Sequence, residues 1–186
     1  MDITRLFVTN QVDNSLSVID LREGHVDTVG PVGDNPAAIA LYRRGQQLYI
    51  VNEGADSVTA YDIRQHAFCA SIDVGKTPVA MAVDERRGFL YVANEGANTV
   101  SVIRLADYAI EQTIPVGKQP TALALTTDGR WLVVVSKGDN TVSFVPVGSG
   151  GVPWTLSTGE YPTSIAFSPR KRKVYVTNAK DDTVTG

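Results

Sequence analysis

The charged side chains of this 186-residue sequence that are suited to chemistry recur at one spacing. Glu53 and Glu95 are 42 residues apart, and Lys137 follows Glu95 by the same step. Two carboxylates at equivalent places are candidates for a general acid and its base. Carboxylates in exposed loops rarely form such a pair, so we interpret these residues as surface groups. We assign no catalytic residue.

The histidines and the cysteine give no support for a metal site. His25 and His66 do not occupy equivalent positions 42 residues apart. A histidine-based metal site needs both histidines to converge with carboxylates. Cys69 is the only cysteine, which excludes an intrachain disulfide and a cysteine cluster. We expect Cys69 to be a small buried side chain. The sequence has no G-x-S-x-G nucleophile motif. We therefore predict no metal ligand and no cofactor.

The same step of 42 residues organises the whole chain. One landmark is an asparagine, replaced by serine once, at Asn10, Asn52, Asn94, Ser136 and Asn178. A second landmark is a glycine followed three residues later by proline, at Gly33, Gly75, Gly117 and Gly159. No insertion or deletion interrupts the register. Self-similarity at a period of roughly 40 to 45 residues, built from short strands, is typical of the blades of a β-propeller.

Each repeat contains four short strand patterns, bounded by glycine, proline, asparagine and aspartate, which we name inner, second, third and outer. The inner strand follows the proline. The second strand, as in Leu90 to Ala93, is apolar on both faces and so needs a layer above and a layer below. We predict an all-β fold, a β-propeller of four-stranded antiparallel blades with a 42-residue repeat and about four blades in this chain.

Composition and charge restrict the partners. The net charge is −3 with both signs interspersed, so no broad basic surface indicates nucleic-acid binding. We interpret the basic segment 169–173 as a solvated turn, and the glycine run 148–151 as a flexible loop at a blade edge. The amino terminus has no signal-peptide pattern, and no apolar stretch is long enough to span a membrane. We predict neither a nucleic-acid partner nor a membrane span.

Three segments carry a family resemblance. They read L-Y-V-A-N-E-G-A-N-T-V-S-V from Leu90, T-I-P-V-G-K-Q-P from Thr113, and K-V-Y-V-T-N-A-K-D-D-T-V from Lys173. These segments closely resemble the YVTN β-propeller repeat family, and the likeness covers nearly the whole chain. The resemblance implies a bacterial or archaeal surface or periplasmic protein, or a seven-bladed lactonase-like one. The blade with Ser136 and Pro146 departs most from the pattern.

We treat residues 1–186 as a single propeller domain of about 4.4 repeats, and three arrangements are open. The chain is part of a larger propeller, or two chains complete a ring of about eight blades by self-association. In the third arrangement, a four-bladed ring, the strand Thr163 to Phe167 supplies the inner strand of the first blade. Because the repeat continues to Val184 without decay, we favour the first two.

The loops from outer to inner strand and from second to third strand should lie at one edge of the propeller, which we call the rim. Side chains there vary between repeats, whereas packing and turn positions do not. Tyr161 is the only aromatic residue at its position of the repeat, and we choose it as the residue that anchors a ligand. The predicted ligand-binding residues are Glu53, Lys76, Glu95, Lys118, Lys137 and Tyr161.

We predict from this pattern a non-catalytic binding module that presents its variable rim loops to a protein, peptide or glycan. The family resemblance implies two alternatives. One is a lactonase-like or lyase-like enzyme, which needs histidines or acidic residues clustered at the channel mouth. The other is a haem-binding propeller domain, which needs histidine ligands that face the channel.

Overall fold

A computed structural model describes residues 4–42, 46–148, 152–168 and 173–186, and all regular structure in these ranges is β-strand. Blade 1 comprises β1 (Arg5–Asn10), β2 (Ser15–Asp20) and β3 (Val26–Val29). Blade 2 comprises β4 (Pro36–Tyr42), β5 (Gln47–Asn52), β6 (Ser57–Asp62) and β7 (Ala67–Asp73). Blade 3 comprises β8 (Pro78–Asp84), β9 (Phe89–Asn94), β10 (Thr99–Arg104) and β11 (Ala109–Pro115). Blade 4 comprises β12 (Pro120–Leu125), β13 (Trp131–Ser136), β14 (Thr141–Pro146) and β15 (Trp154–Ser157), and blade 5 comprises β16 (Pro162–Ser168), β17 (Lys173–Asn178) and β18 (Thr183–Thr185).

Blades 2 to 4 are four-stranded antiparallel sheets in the order inner, second, third, outer, so the predicted all-β propeller architecture is confirmed. Each inner strand starts at the repeated proline, where the missing N–H breaks no ladder. The outer strands differ most from expectation. In blade 1 the outer strand ends at Val29 rather than Val32, two residues before Pro31. The predictions for the loops 148–151 and 169–173 fall mostly on residues outside the described ranges.

The last inner strand belongs to its own sheet. β16 pairs with β17 from Pro162 opposite Asn178 to Ser168 opposite Lys173. Within the described residues, β1 pairs with β2 and the sheet of blade 1 has the order β1-β2-β3. This pairing is not that of the four-bladed ring, which requires β16 beside β1.

The hydrophobic core lies between the blades, because the second strands are apolar on both faces. In β5, Leu48 and Ile50 pack toward blade 1, whereas Tyr49 and Val51 pack toward blade 3. All four side chains are fully buried. The strands β9 and β13 divide their side chains between two neighbours in the same way. Each second strand of blades 2 to 4 is therefore covered by a sheet on either side.

The repeated asparagine and the repeated glycine form one contact. A Cβ atom on Gly75 would lie 2.7 Å from Cγ of Asn94, so only glycine allows this approach. Nδ2 of Asn94 donates hydrogen bonds to Oγ1 of Thr99 (3.0 Å) and Oγ of Ser101 (2.9 Å). Asn10, Asn52 and Asn178 make the equivalent pair of bonds in their own blades. The amide thus joins the second strand to the third.

Cys69 corrects one expectation, because its side chain is exposed rather than buried. It lies in β7, the outer strand of blade 2. An outer strand has no further strand beside it, and most side chains of β7 are open to solvent.

Blade 4 lacks the asparagine, and one of the two hydroxyl groups that the asparagine would contact has no hydrogen bond. Ser136 replaces the asparagine, and the buried Oγ of Ser136 and Oγ1 of Thr141 have no hydrogen-bond partner. The serine hydroxyl is too short to bridge the two strands as Asn94 does. The Thr141 hydroxyl therefore lacks the hydrogen bond that the equivalent hydroxyl groups receive from asparagine in the other blades.

We predict that Ser136→Asn stabilises the chain. The new amide would donate to Thr141 and Ser143, and two added hydrogen bonds should raise the free energy of unfolding by about 1–2 kcal/mol. Urea unfolding measures the change. The reverse substitution, Asn94→Ser, is the matched control and should lower the free energy of unfolding. A neutral or destabilising Ser136→Asn would contradict the prediction.

The free face of blade 1 generates a second prediction. Leu6 is 48% exposed and Val8 is 39% exposed, on the face of β1 that no described sheet covers. A polypeptide of residues 1–186 should therefore self-associate, because apolar strand faces and open edges attract further sheets. Changing Leu6 and Val8 together to lysine should shift it toward monomer in analytical ultracentrifugation. A monomeric unaltered polypeptide would contradict this expectation.

Candidate ligand-binding rim

The two kinds of rim loop are held together by backbone hydrogen bonds. In blade 3, N–H of Glu95 donates to the carbonyl of Thr77 (2.8 Å), and N–H of Gly96 donates to that of Lys76 (3.0 Å). Blades 2, 4 and 5 repeat both bonds between the corresponding residues. The outer-to-inner loop and the second-to-third turn therefore share one edge, as the sequence predicts.

A side-chain contact links each rim loop to the next blade. Oδ1 of Asn98 accepts the N–H of Gln119 (2.8 Å), and Oδ1 of Asn140 accepts that of Tyr161 (2.8 Å). These four residues have φ between 51° and 57°, the left-handed region that asparagine tolerates better than most residues with a side chain. Asn14 and Asp56 make the same bond to the blade that follows each of them. The backbone of the rim is thus fixed from blade to blade.

Three of the predicted site residues contact one another across three blades. Nζ of Lys137 is 2.8 Å from Oε1 of Glu95 in the preceding blade. The same Nζ lies 5.7 Å from the ring centroid of Tyr161, and Nζ of Lys180 lies 5.6 Å from that centroid. Both distances are within the range of a cation–π interaction. Two lysine ammonium groups thus lie near the ring of an exposed tyrosine.

Lys180 was missed by the sequence analysis, although a signal was present. Its counterparts in the other repeats are Val12, Gly54, Gly96 and Gly138. Lysine at this position therefore departs from the glycine that most repeats have there.

Lys118 lies at a shallow cavity beside this group. The cavity has a volume of about 350 Å³ and shares Glu95 with the Lys137 ion pair. Lys118 is exposed, and no ion pair of its ammonium group is found in the described part of the chain. The cavity is lined by Thr77, Glu95, Gly96, Asn98, Lys118, Gln119 and Gly138.

The other two predicted residues have partners in their own part of the rim. Oε2 of Glu53 accepts a hydrogen bond from Asn35 (3.1 Å), whereas Glu95 pairs with Lys137. The two glutamates thus have separate partners. Lys76 forms an ion pair with Asp56. The hydrogen bonds from the Lys76 ammonium group and from the Thr77 N–H lower the pKa of Asp56. The stabilising contribution of the Asp56 carboxylate is therefore lost as the pH falls through this lowered pKa.

The histidines lie near the opposite edge. Nε2 of His25 is 2.9 Å from Oδ1 of Asp27, and both side chains are exposed. His66 occupies the turn between β6 and β7 with φ of 52°. Among the described residues, no group of three or more histidine, cysteine, aspartate or glutamate side chains is placed to hold a metal ion.

No helix in the described ranges has the length and apolar character needed to cross a membrane.

Comparison with protein families supports the propeller assignment. Residues 1–87 match the model of the YNCE-like beta-propeller family. This match bears out the propeller part of the sequence resemblance, while membership of the YVTN repeat family stays a prediction. No curated protein matches the sequence.

The solved structures that share this fold belong to proteins with different names. Hydrazine synthase of Kuenenia stuttgartiensis is 24% identical with a TM-score of 0.83 over 94% of this chain and 52% of its own. A candidate 6-phosphogluconolactonase of Bacteroides uniformis is 14% identical with a TM-score of 0.83 over 99% and 63%. Dihydro-heme d1 dehydrogenase NirN in complex with DHE is 17% identical with a TM-score of 0.75 over 98% and 43%. Identities this low show the fold alone, and the chain spans less than two thirds of each of these structures.

We predict measurable coupling between Glu95 and Lys137. Their side chains are 22% and 17% exposed, so the pair is less screened by water than a typical surface pair. A double-mutant cycle with Glu95→Gln and Lys137→Met should give a coupling energy of about 0.5–1 kcal/mol in urea unfolding.

The matched control is the pair of Arg104 and Glu111, whose side chains are 45% and 49% exposed. Its cycle with Arg104→Met and Glu111→Gln should give a coupling energy close to zero. Equal coupling in the two cycles would show that the rim pair is an ordinary surface contact.

Proposed function

We propose that this chain is a non-catalytic interaction module whose rim in blades 3 to 5 binds a carboxylate-bearing segment of a protein, peptide or glycan. The observation that carries the proposal is the continuous contact from Lys137 through Tyr161 to Lys180. An exposed aromatic ring with two ammonium groups near it matches a partner that combines an apolar group with negative charge.

The charges of this surface favour an acidic partner. Glu95 is neutralised by Lys137, whereas Lys118 and Lys180 have no ion pair with any described residue. Asp139 and Asp181 turn their carboxylates toward backbone N–H groups of Lys118 (2.7 Å) and Glu160 (2.9 Å). Their charge is therefore directed into the loops, and the ammonium groups remain at the surface.

The rigid backbone also supports a binding role. The bond from Asn140 holds the Tyr161 backbone, and Tyr161 itself lies at φ of 56°. A preorganised aromatic anchor loses little conformational freedom when a partner binds.

Binding to acidic peptides and to uronic-acid oligosaccharides, measured by calorimetry, tests the proposal. Tyr161→Ala and Lys118→Ala should each weaken binding about 3- to 10-fold, because an anchor or an attractive charge is lost. Added salt should weaken binding as well. Glu160→Gln should strengthen it, since an exposed negative charge beside Lys180 is removed.

The control is Arg64→Ala, which removes a positive charge from the turn between β6 and β7 at the opposite edge. Binding should not change in this variant. Equal losses in Arg64→Ala and Lys118→Ala would indicate nonspecific charge attraction. Turnover of a lactone or ester that survives both rim substitutions would support the enzyme alternative instead.

A further inference from the structure

Blade 4 has the hydroxyl group of Ser136 where the other blades have the carboxamide of the repeated asparagine. The backbone around this substitution keeps the register of the repeat. Ser136 lies opposite Thr141 on β14, and Asn94 lies in the same way opposite Thr99 on β10. The strands of blade 4 have therefore not shifted along one another to compensate for the shorter side chain.

The repeated glycine beside the substitution keeps its place as well. A Cβ atom on Gly117 would lie 2.8 Å from the Cβ atom of Ser136. In blade 3, a Cβ atom on Gly75 would lie 2.9 Å from the Cβ atom of Asn94. The two side chains thus start from equivalent positions, and the serine side chain reaches less far toward the third strand than the asparagine side chain does.

Two hydroxyl oxygens at this place have no hydrogen-bond partner within the part of the chain that the structure describes. They are Oγ of Ser136 and Oγ1 of Thr141, and both atoms are buried. They would lie 2.8 Å and 3.0 Å from a Cβ atom on Gly117, so both are close to one point although they do not bond to each other. Buried hydroxyl groups normally have a partner. A small polar molecule between the two oxygens would supply one.

The nitrogen of the carboxamide is the atom that the repeat uses at this place. Nδ2 of Asn94 donates to Oγ1 of Thr99 (3.0 Å) and Oγ of Ser101 (2.9 Å), whereas Oδ1 of the repeated asparagine has no partner in blades 2, 3 and 5. The counterparts of the two acceptors in blade 4 are Thr141 and Ser143. What blade 4 lacks is therefore a group that donates two hydrogen atoms to these hydroxyl oxygens.

We infer that blade 4 binds a buried water molecule in the place of the asparagine Nδ2. The water donates its two hydrogen atoms to Oγ1 of Thr141 and Oγ of Ser143, and it accepts the hydroxyl proton of Ser136. Three such partners are typical of a buried water. Oγ of Ser143 can take this bond in addition to its contact with Oγ1 of Thr155 (3.3 Å), because a hydroxyl oxygen has two acceptor sites.

The surroundings favour a neutral molecule. Ser136 is fully buried and Ser143 is only 5% exposed. All three partners are uncharged hydroxyl groups, so a cation at this place would be buried without a counter-charge. The site lies directly below the rim, because Ser136 precedes Lys137, and it does not depend on a ligand bound at the rim.

Crystal structures of the unaltered chain and of Ser136→Asn test the site. The unaltered chain should show a water within about 3.2 Å of the hydroxyl oxygens of Ser136, Thr141 and Ser143. In Ser136→Asn, Nδ2 of the new asparagine should take the place of this water. Asn94 is the control in both crystals, because it should contact Thr99 directly with no water between them. A dry site in the unaltered chain would overturn the inference.

Thermal unfolding gives a second test, in which the sign differs between a hydrated and a dry site. With water bound, Thr141→Val removes a hydrogen bond and should lower the Tm by about 2–4 °C. In a dry site the same change replaces an unpartnered buried hydroxyl group with a methyl group and should raise the Tm. Thr99→Val is the matched control and should lower the Tm, since this hydroxyl group accepts from Asn94. An unchanged or raised Tm in Thr141→Val, with a lowered Tm in Thr99→Val, would contradict bound water.

Discussion

The second strand of each blade is apolar on both faces, and this one constraint determines the arrangement of the sheets. Tyr49 and Ile50 are adjacent in the chain, point to opposite faces of β5 and are both fully buried. Such a strand is stable only with a sheet on either side, so blades must stack face to face. In blade 1, where the described residues cover one face of β1, Leu6 on the other face is 48% exposed. The core is therefore a series of interfaces between blades rather than a single interior.

Two polar contacts repeat beside this core and fix the rim. The amide of Asn94 joins the second strand to the third in its own blade, and the side chain of Asn98 holds the N–H of Gln119 in the next blade. Neither contact uses the side chains at the surface of the loops. Those side chains are consequently free to differ between repeats, and the difference places Lys137 beside Tyr161.

The same division of roles applies inside the interfaces. The strand frame is retained from blade to blade, while individual side chains decide whether a given interface is filled. Tyr108 and Gln47 are joined by a hydrogen bond in the interface between blades 2 and 3, whereas the counterpart of Gln47 in the next interface is Phe89, which has no polar side-chain atom. Interfaces built on the same strand frame therefore differ in the side chains that fill them.

The sequence by itself determined the strands, their order in each sheet and the edge on which each loop lies. These features follow from local patterns, because a period of 42 residues, apolar alternation and turn residues act over a few neighbours. The contacts of Lys137 with Glu95 and Tyr161 were decided only by the tertiary structure, since they depend on the distance and angle between blades. The exposure of Cys69 was decided in the same way. It depends on what packs against a strand from elsewhere in the chain, which a repeat pattern does not record.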